Sequence, residues 1–90
     1  MARLGMDDVA VETVGKQLQD LAQQIDTLTG QINTKVHSLP GIWDGPDAHT
    51  FVDQWWPGHQ KTLKAAAEAV RGLGQSALNN VKEQRDASGR

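Results

Sequence analysis

The histidines and aspartates at the centre of the chain are the residues that could hold a metal ion. They fall within one short stretch and comprise His37, Asp44, Asp47, His49 and Asp53. His49 and Asp53 are four residues apart, so on a helix they would share a face. A metal centre needs three or four ligands converging in one shell. We therefore interpret these residues as polar groups around a turn, and we predict no metal site and no cofactor.

Nucleophilic catalysis is not indicated either. The serines, Ser38, Ser76 and Ser88, are scattered along the chain, and there is no cysteine. Gly72-Leu73-Gly74 lies within an expected helix and does not follow a strand, as a phosphate-binding glycine loop would. The sequence thus predicts a protein that is not an enzyme.

Composition excludes further classes of function. The net charge of -2 is not that of a nucleic-acid-binding protein. No stretch approaches the roughly 20 apolar residues of a membrane span. Arg3 is followed by no apolar segment, so we expect no cleavable signal peptide.

The apolar residues must then be positioned by two long helices. From about residue 8 to about residue 38 they recur at steps of three and four, which predicts a heptad seam. The seam consists of Val14, Leu18, Leu21, Ile25, Leu28 and Ile32. From about residue 46 to about residue 85 a second stripe contains Leu63, Ala66, Val70 and Leu73. His59 occupies a position in this stripe and is expected to be packed or to face a partner.

A turn at residues 40–45 separates the helices. Pro40 and Gly41 end the first, and Pro46 suits the first position of the second, where no amide donor is needed. Pro57 should kink the second helix within residues 54–58, or break it into a short and a long helix, because a proline removes a backbone hydrogen bond. Residues 86–90 should form a flexible tail.

The fold class that follows is all-α, with residues 1–90 forming one antiparallel helical hairpin. Two helices with such narrow apolar stripes bury too little surface to be stable alone. A second hairpin would close the seam and form a four-helix bundle dimer.

Four aromatic residues lie close to the turn. Trp43, Phe51 and Trp55 can converge, because Phe51 and Trp55 are four residues apart on one face and the turn brings Trp43 over it. This cluster would cap the core of the hairpin. Alternatively, Trp56, rotated by about 100° from Trp55, is exposed and docks another protein. Both interpretations can hold.

Trp43-Asp44-Gly45 is a W-x-G tripeptide at the centre of the 90-residue chain, between long amphipathic helices. Ala48, Phe51 and Trp55 follow it at helical spacing. In these features the chain resembles the WXG superfamily, the early-secreted-antigen-like substrates of type VII secretion in actinobacteria and firmicutes. The resemblance covers about residues 8 to 85.

The resemblance implies a hairpin that dimerises, with itself or with a related W-x-G protein, and is exported folded after recognition by a membrane-associated secretion ATPase. It implies a secreted or cell-surface location. Trp43 and Gly45 would form the turn motif, with Trp43 helping to build a surface for the secretion apparatus.

The chain departs from the family pattern in its tail. Many members carry a Tyr-x-x-x-Asp/Glu export signal after the second helix, whereas this chain contains no tyrosine. Either the partner supplies the signal, which favours a heterodimer, or the tail of this chain is read differently. The alternative function is that of a non-exported adaptor or chaperone-like coiled coil for a larger secreted toxin.

Overall fold

The structure is a computed structural model that describes residues 6–88. Within them the chain forms an all-α, antiparallel helical hairpin, as the sequence predicts. Helix α1 spans Asp8–His37 and is followed by a 3-10 turn at Leu39–Gly41. The second arm consists of α2 at Pro46–Thr50, a π-helical turn at Phe51–Trp55 and α3 at Trp56–Ser88. The hairpin measures 67 × 16 × 16 Å.

Local polar groups set both ends of α1. The side chain of Asp7 accepts a hydrogen bond from the amide of Ala10 at 3.1 Å, which satisfies one of the unpaired first-turn donors. At the other end the hydroxyl of Ser38 donates to the carbonyl of Lys35 at 2.6 Å. Pro40 follows within the 3-10 turn. The α-helix therefore ends at His37, just before the Leu39–Gly41 segment that contains the proline.

The turn between the arms is tightened around one carbonyl. The amides of Ile42 and Trp43 both donate to the carbonyl oxygen of Leu39, at 2.9 and 2.7 Å. Gly45 then adopts φ 128° and ψ 171°, a conformation that essentially requires glycine. Pro46 begins α2 directly after it. The W-x-G segment thus carries the change of direction.

The second arm is continuous through Pro57. A proline has no amide to donate to the carbonyl four residues back, and the chain accommodates it with the wider π turn at Phe51–Trp55. A helix over residues 46–88 would be about 65 Å long, close to the 67 Å length of the molecule. The predicted irregularity is therefore a π turn and not a break. Helix α3 extends through residues 86–88 of the predicted tail, and residues 89–90 lie outside the described part.

The helices meet along rows of mostly small residues and not along the predicted heptad seam. On α1 the buried row repeats every seventh residue: Gly15, Ala22, Thr29 and Val36. On the second arm the buried positions are Ala48, Val52, Trp56, Ala67, Gly74 and Val81. Small residues let the backbones approach closely, since a Cβ atom at Gly74 would lie 2.7 Å from the carbonyl oxygen of Gly15. The exposed members of the predicted seam lie outside this contact, whereas Leu18, Ile25, Leu63 and Val70 are half-buried. The role of the seam in a dimer stays a prediction.

Candidate interaction surface

The predicted seam residues form one uncovered side of the hairpin, which we call the open face. Its α1 row is Val14, Leu18, Leu21, Ile25, Leu28 and Ile32. Its row on the second arm is Trp55, His59, Leu63, Ala66, Val70 and Leu73. On each helix the row is offset in the same rotational sense from the buried row, and the helices are antiparallel, so both rows lie on one side.

The open face is apolar and accessible. Among its α1 positions, Val14, Leu21, Leu28 and Ile32 are between 41% and 55% exposed, and Leu73 on α3 is 60% exposed. Leu18, Ile25, Leu63 and Val70 are half-buried. Exposed apolar area of this extent is typical of a surface that binds another protein.

The opposite side of the hairpin is polar and is closed by its own side chains. Arg71 forms an ion pair with Asp26 at 2.7 Å and also pairs with Glu68. The hydrogen bond from Arg71 to Asp26 is the main reason that the pKa of this guanidinium is raised. Nearer the end opposite the turn, Gln19 donates a hydrogen bond to Gln75 at 3.1 Å. The bonds from Arg71 to Asp26 and from Gln19 to Gln75 connect the helices on the side away from the open face.

An ion-pair cluster connects the two arms at the end opposite the turn. Arg85 donates from Nε to Asp8 at 2.7 Å and from Nη1 to Glu12 at 3.0 Å. The hydrogen bonds from Arg85 are the main cause that lowers the pKa of both carboxyl groups, and they raise the pKa of Arg85 itself. The first turn of α1 is thereby tied to the last turns of α3.

At the turn, the rings of Trp43, Phe51 and Trp55 lie in series, with Phe51 stacked on Trp55 and tilted against Trp43. The ring centroids of Trp43 and Phe51 are 5.9 Å apart, and those of Phe51 and Trp55 are 4.7 Å apart. His59 extends the series, with its ring 3.9 Å from that of Trp55. The predicted convergence of the first three residues is therefore confirmed, and the series continues onto the open face.

Trp56 does not belong to this exposed series. It is 3% exposed and packs with Val36 and Val52 in the core at the turn end. Its indole Nε1 donates to the side-chain oxygen of Asn33 at 2.8 Å. The alternative in which Trp56 is exposed is wrong, and Trp55, at 52% exposure, is the accessible neighbour. Asn33, one helical turn before the buried Val36, is the signal that sequence reasoning missed.

The candidate metal residues remain dispersed. His49 lies 4.0 Å from Asp53, and Nδ1 of His37 donates to the carbonyl of Asn33 at 2.9 Å. Within residues 6–88 no three metal-ligating side chains come together. In the same range, no helix is long and apolar enough to span a membrane.

The fold and this surface define the class of the protein. It is a two-helix hairpin that exposes an apolar face, and this face is continuous with the aromatic residues at the turn. Comparisons of the chain with protein-family models, curated proteins and solved structures found no match. The resemblance to the WXG superfamily therefore rests on the residues of this chain.

Proposed function

We propose that this protein is a small type VII secretion substrate, exported folded after its open face has paired with a second hairpin, either a copy of itself or a related W-x-G protein. The observation that carries the proposal is the W-x-G turn, Trp43 to Gly45, joining two long helices that leave a shared apolar face uncovered. The proposed activity is binding.

The surface area supports pairing. A compact monomer of 9.8 kDa would expose about 5,200 Å², whereas this hairpin exposes 6472 Å². The excess of roughly 1,300 Å² is what one subunit contributes to an obligate dimer interface. The radius of gyration of 20.0 Å likewise exceeds the roughly 12 Å of a compact domain of this length. A second hairpin laid along the open face would supply the missing layer.

The turn supports the export part of the proposal. Trp43 is 40% exposed and Ile42 is 83% exposed, so this end presents apolar groups that the hairpin itself does not cover. Exposed aromatic side chains are favoured anchors in protein interfaces. In this proposal the secretion ATPase contacts this end of the paired hairpins.

The adaptor function is the second candidate, and the lack of tyrosine favours it. An adaptor for a larger toxin would use the same open face but would need no export signal of its own. In that case the protein would stay in the cell when the toxin gene is absent.

An export assay separates the two candidates. A tagged chain is expressed in a host with a type VII system, and the culture medium is compared with the cell lysate. We expect the wild type in the medium, and Trp43→Arg to remain in the cell although its circular dichroism spectrum is unchanged. Equal export of Trp43→Arg would contradict the role of the turn. Retention of the wild type by a host that exports a positive-control substrate, both when the chain is expressed alone and when a related W-x-G partner is co-expressed, would contradict export.

Pairing is tested by introducing a charge into the open face. Leu21→Asp should abolish association, because the partner would bury an unpaired carboxylate. Gln23→Asp is the matched control, since it places the same charge on the same helix but outside the open face. Light scattering that finds both variants in the same assembly as the wild type would refute the assignment of the open face.

A further inference from the structure

The rim of the open face carries no charge along its central part. The bordering residues repeat at seventh positions and are Gln17, Gln24 and Gln31 on α1, and Thr62, Ala69 and Ser76 on α3, all exposed. Helices that select a different partner commonly carry complementary charges at such flanking positions. An uncharged rim meets an identical rim without electrostatic repulsion. This favours a second copy of the same chain as the occupant of the open face.

The open face contains an ionisable side chain at one of its described positions, His59. Its row neighbours are Trp55, Leu63 and Ala66, and its ring lies against that of Trp55. His59 is exposed in the single hairpin, as are Trp55 and Ala66, and a partner packed along this row would cover it.

We propose that a second copy of this chain closes the open face, and that protonation of His59 opens it. This inference rests on the association proposed above. It concerns which partner binds and how protons control the binding.

The charged groups around His59 would not stabilise its protonated form once the open face is covered. Across from it the α1 row presents Leu28 and Ile32, and the next position in that row is Lys35, a cation. On its own helix Lys61 and Lys64 lie away from the open face, and Lys64 lines a groove on the polar side. The carboxylate of Asp53 already lies beside His49. No acidic position in either row of the open face is available to pair with a charged imidazole.

Pairing would therefore transfer His59 from water into apolar contact, which disfavours the protonated form. The contact with Trp55 exists in the single hairpin, so any attraction between indole and imidazolium is present before association and does not drive it. Histidine ordinarily titrates near pH 6.5. Each copy supplies one His59, so the association constant should fall by about a hundredfold per pH unit well below that value.

The experiment measures self-association of the full chain by sedimentation equilibrium over a dilution series, at about pH 7.5 and about pH 5.5, on either side of the ordinary histidine pKa. We expect the wild type to dimerise at the higher pH and to bind itself about a hundredfold more weakly at the lower. His59→Gln and His59→Leu should dimerise equally at both. His37→Gln and His49→Gln are matched controls and should retain the pH dependence, because neither residue lies on the open face.

The outcomes separate the parts of the inference. A wild-type dimer of equal affinity at both pH values, or a pH dependence that persists in both His59 variants, would overturn the role of His59 and leave the dimer standing. A wild type that is monomeric at about pH 7.5 throughout the series would refute the second copy as occupant. Export is tested separately by the secretion assay, so a failure of export can be distinguished from a failure of the pH-dependent dimer.

Discussion

Replacing Gly74 with alanine tests the closest approach between the two arms. A Cβ atom at this position would lie 2.7 Å from the carbonyl oxygen of Gly15 and 2.9 Å from Cγ of Gln19. The glutamine side chain can rotate, but the carbonyl oxygen moves only if α1 shifts. Gly72, two residues earlier in α3, has no neighbouring atom within 4 Å of its Cβ position. Gly72→Ala is therefore the matched control.

The two variants share one effect and differ in another. Alanine stabilises a helix interior by about 1 kcal/mol relative to glycine, so Gly72→Ala should raise the free energy of unfolding by about 0.5–1 kcal/mol. Gly74→Ala gains the same helix propensity but overpacks the contact, at a cost of typically about 1–3 kcal/mol. We expect a net loss of about 1 kcal/mol for Gly74→Ala, and hence a difference of about 2 kcal/mol between the variants.

Urea denaturation followed by circular dichroism measures this difference. All proteins must be compared at one concentration, because association shifts the apparent stability. A thermal scan should place the midpoints of the two variants roughly 10 °C apart. If Gly74→Ala is as stable as Gly72→Ala, the helices do not approach as closely as described, and the small-residue row does not determine which faces meet.

Three further predictions concern the turn and the opposite end of the hairpin. Trp56→Ala should lower the free energy of unfolding by about 3–5 kcal/mol, because a buried indole and its hydrogen bond are lost. Trp55→Ala, at an exposed position, should cost far less. Similar urea midpoints for the two variants would contradict the assignment of Trp56 to the core. Gly45→Ala should cost about 1–3 kcal/mol because its φ of 128° is strained for alanine, which an unchanged urea midpoint would refute. The pKa values of the two carboxyl groups paired with Arg85 are held below their ordinary 3.8 and 4.5, so these pairs stabilise the fold above those values and are lost as the pH falls below them. The wild type should therefore melt above Arg85→Gln at neutral pH, with the gap narrowing as the pH falls below the ordinary carboxyl pKa values, and a gap of constant size would argue against the ion pairs.

The turn and the start of α1 were predictable because local chemistry determines them. An aspartate before an amphipathic stretch caps a helix, and Asp7 does so. Pro40 ends one helix and Pro46 starts the next, since each acts through its own ring and missing amide. Such signals depend on a few neighbouring residues, so the sequence contains all that they require.

The choice of the buried face was not predictable from hydrophobicity. Helix α1 has two rows with seventh-residue spacing, one rich in leucine and isoleucine and one beginning Gly15, Ala22, Thr29. The second row is buried because its small side chains allow the backbones to come close, which depends on the matching Ala67 and Gly74 in α3. A search for small residues repeated at sevens in both helices would have found it.

The assignment of the tryptophans failed for a related reason. Phe51 with Trp55 and Val52 with Trp56 are both four residues apart, so spacing alone cannot tell which pair is buried. The buried pair follows from Ala48 and from the hydrogen bond that Asn33 accepts from Trp56. These are contacts between elements, and the residues of one helix do not encode them.

The π turn at Phe51–Trp55 has a consequence for how the chain could diverge. A π turn contains one residue more than the α-helical path it replaces, and each α-helical residue advances the chain by about 100°. The π turn absorbs its extra residue without this additional rotation, so deleting one exposed residue there, such as Gln54, would restore an α-helix and keep Ala48 and Val52 on the buried side. The π turn thus preserves the rotational position of the W-x-G turn relative to the open face. Hairpins with and without this residue would present the same two surfaces in the same mutual orientation.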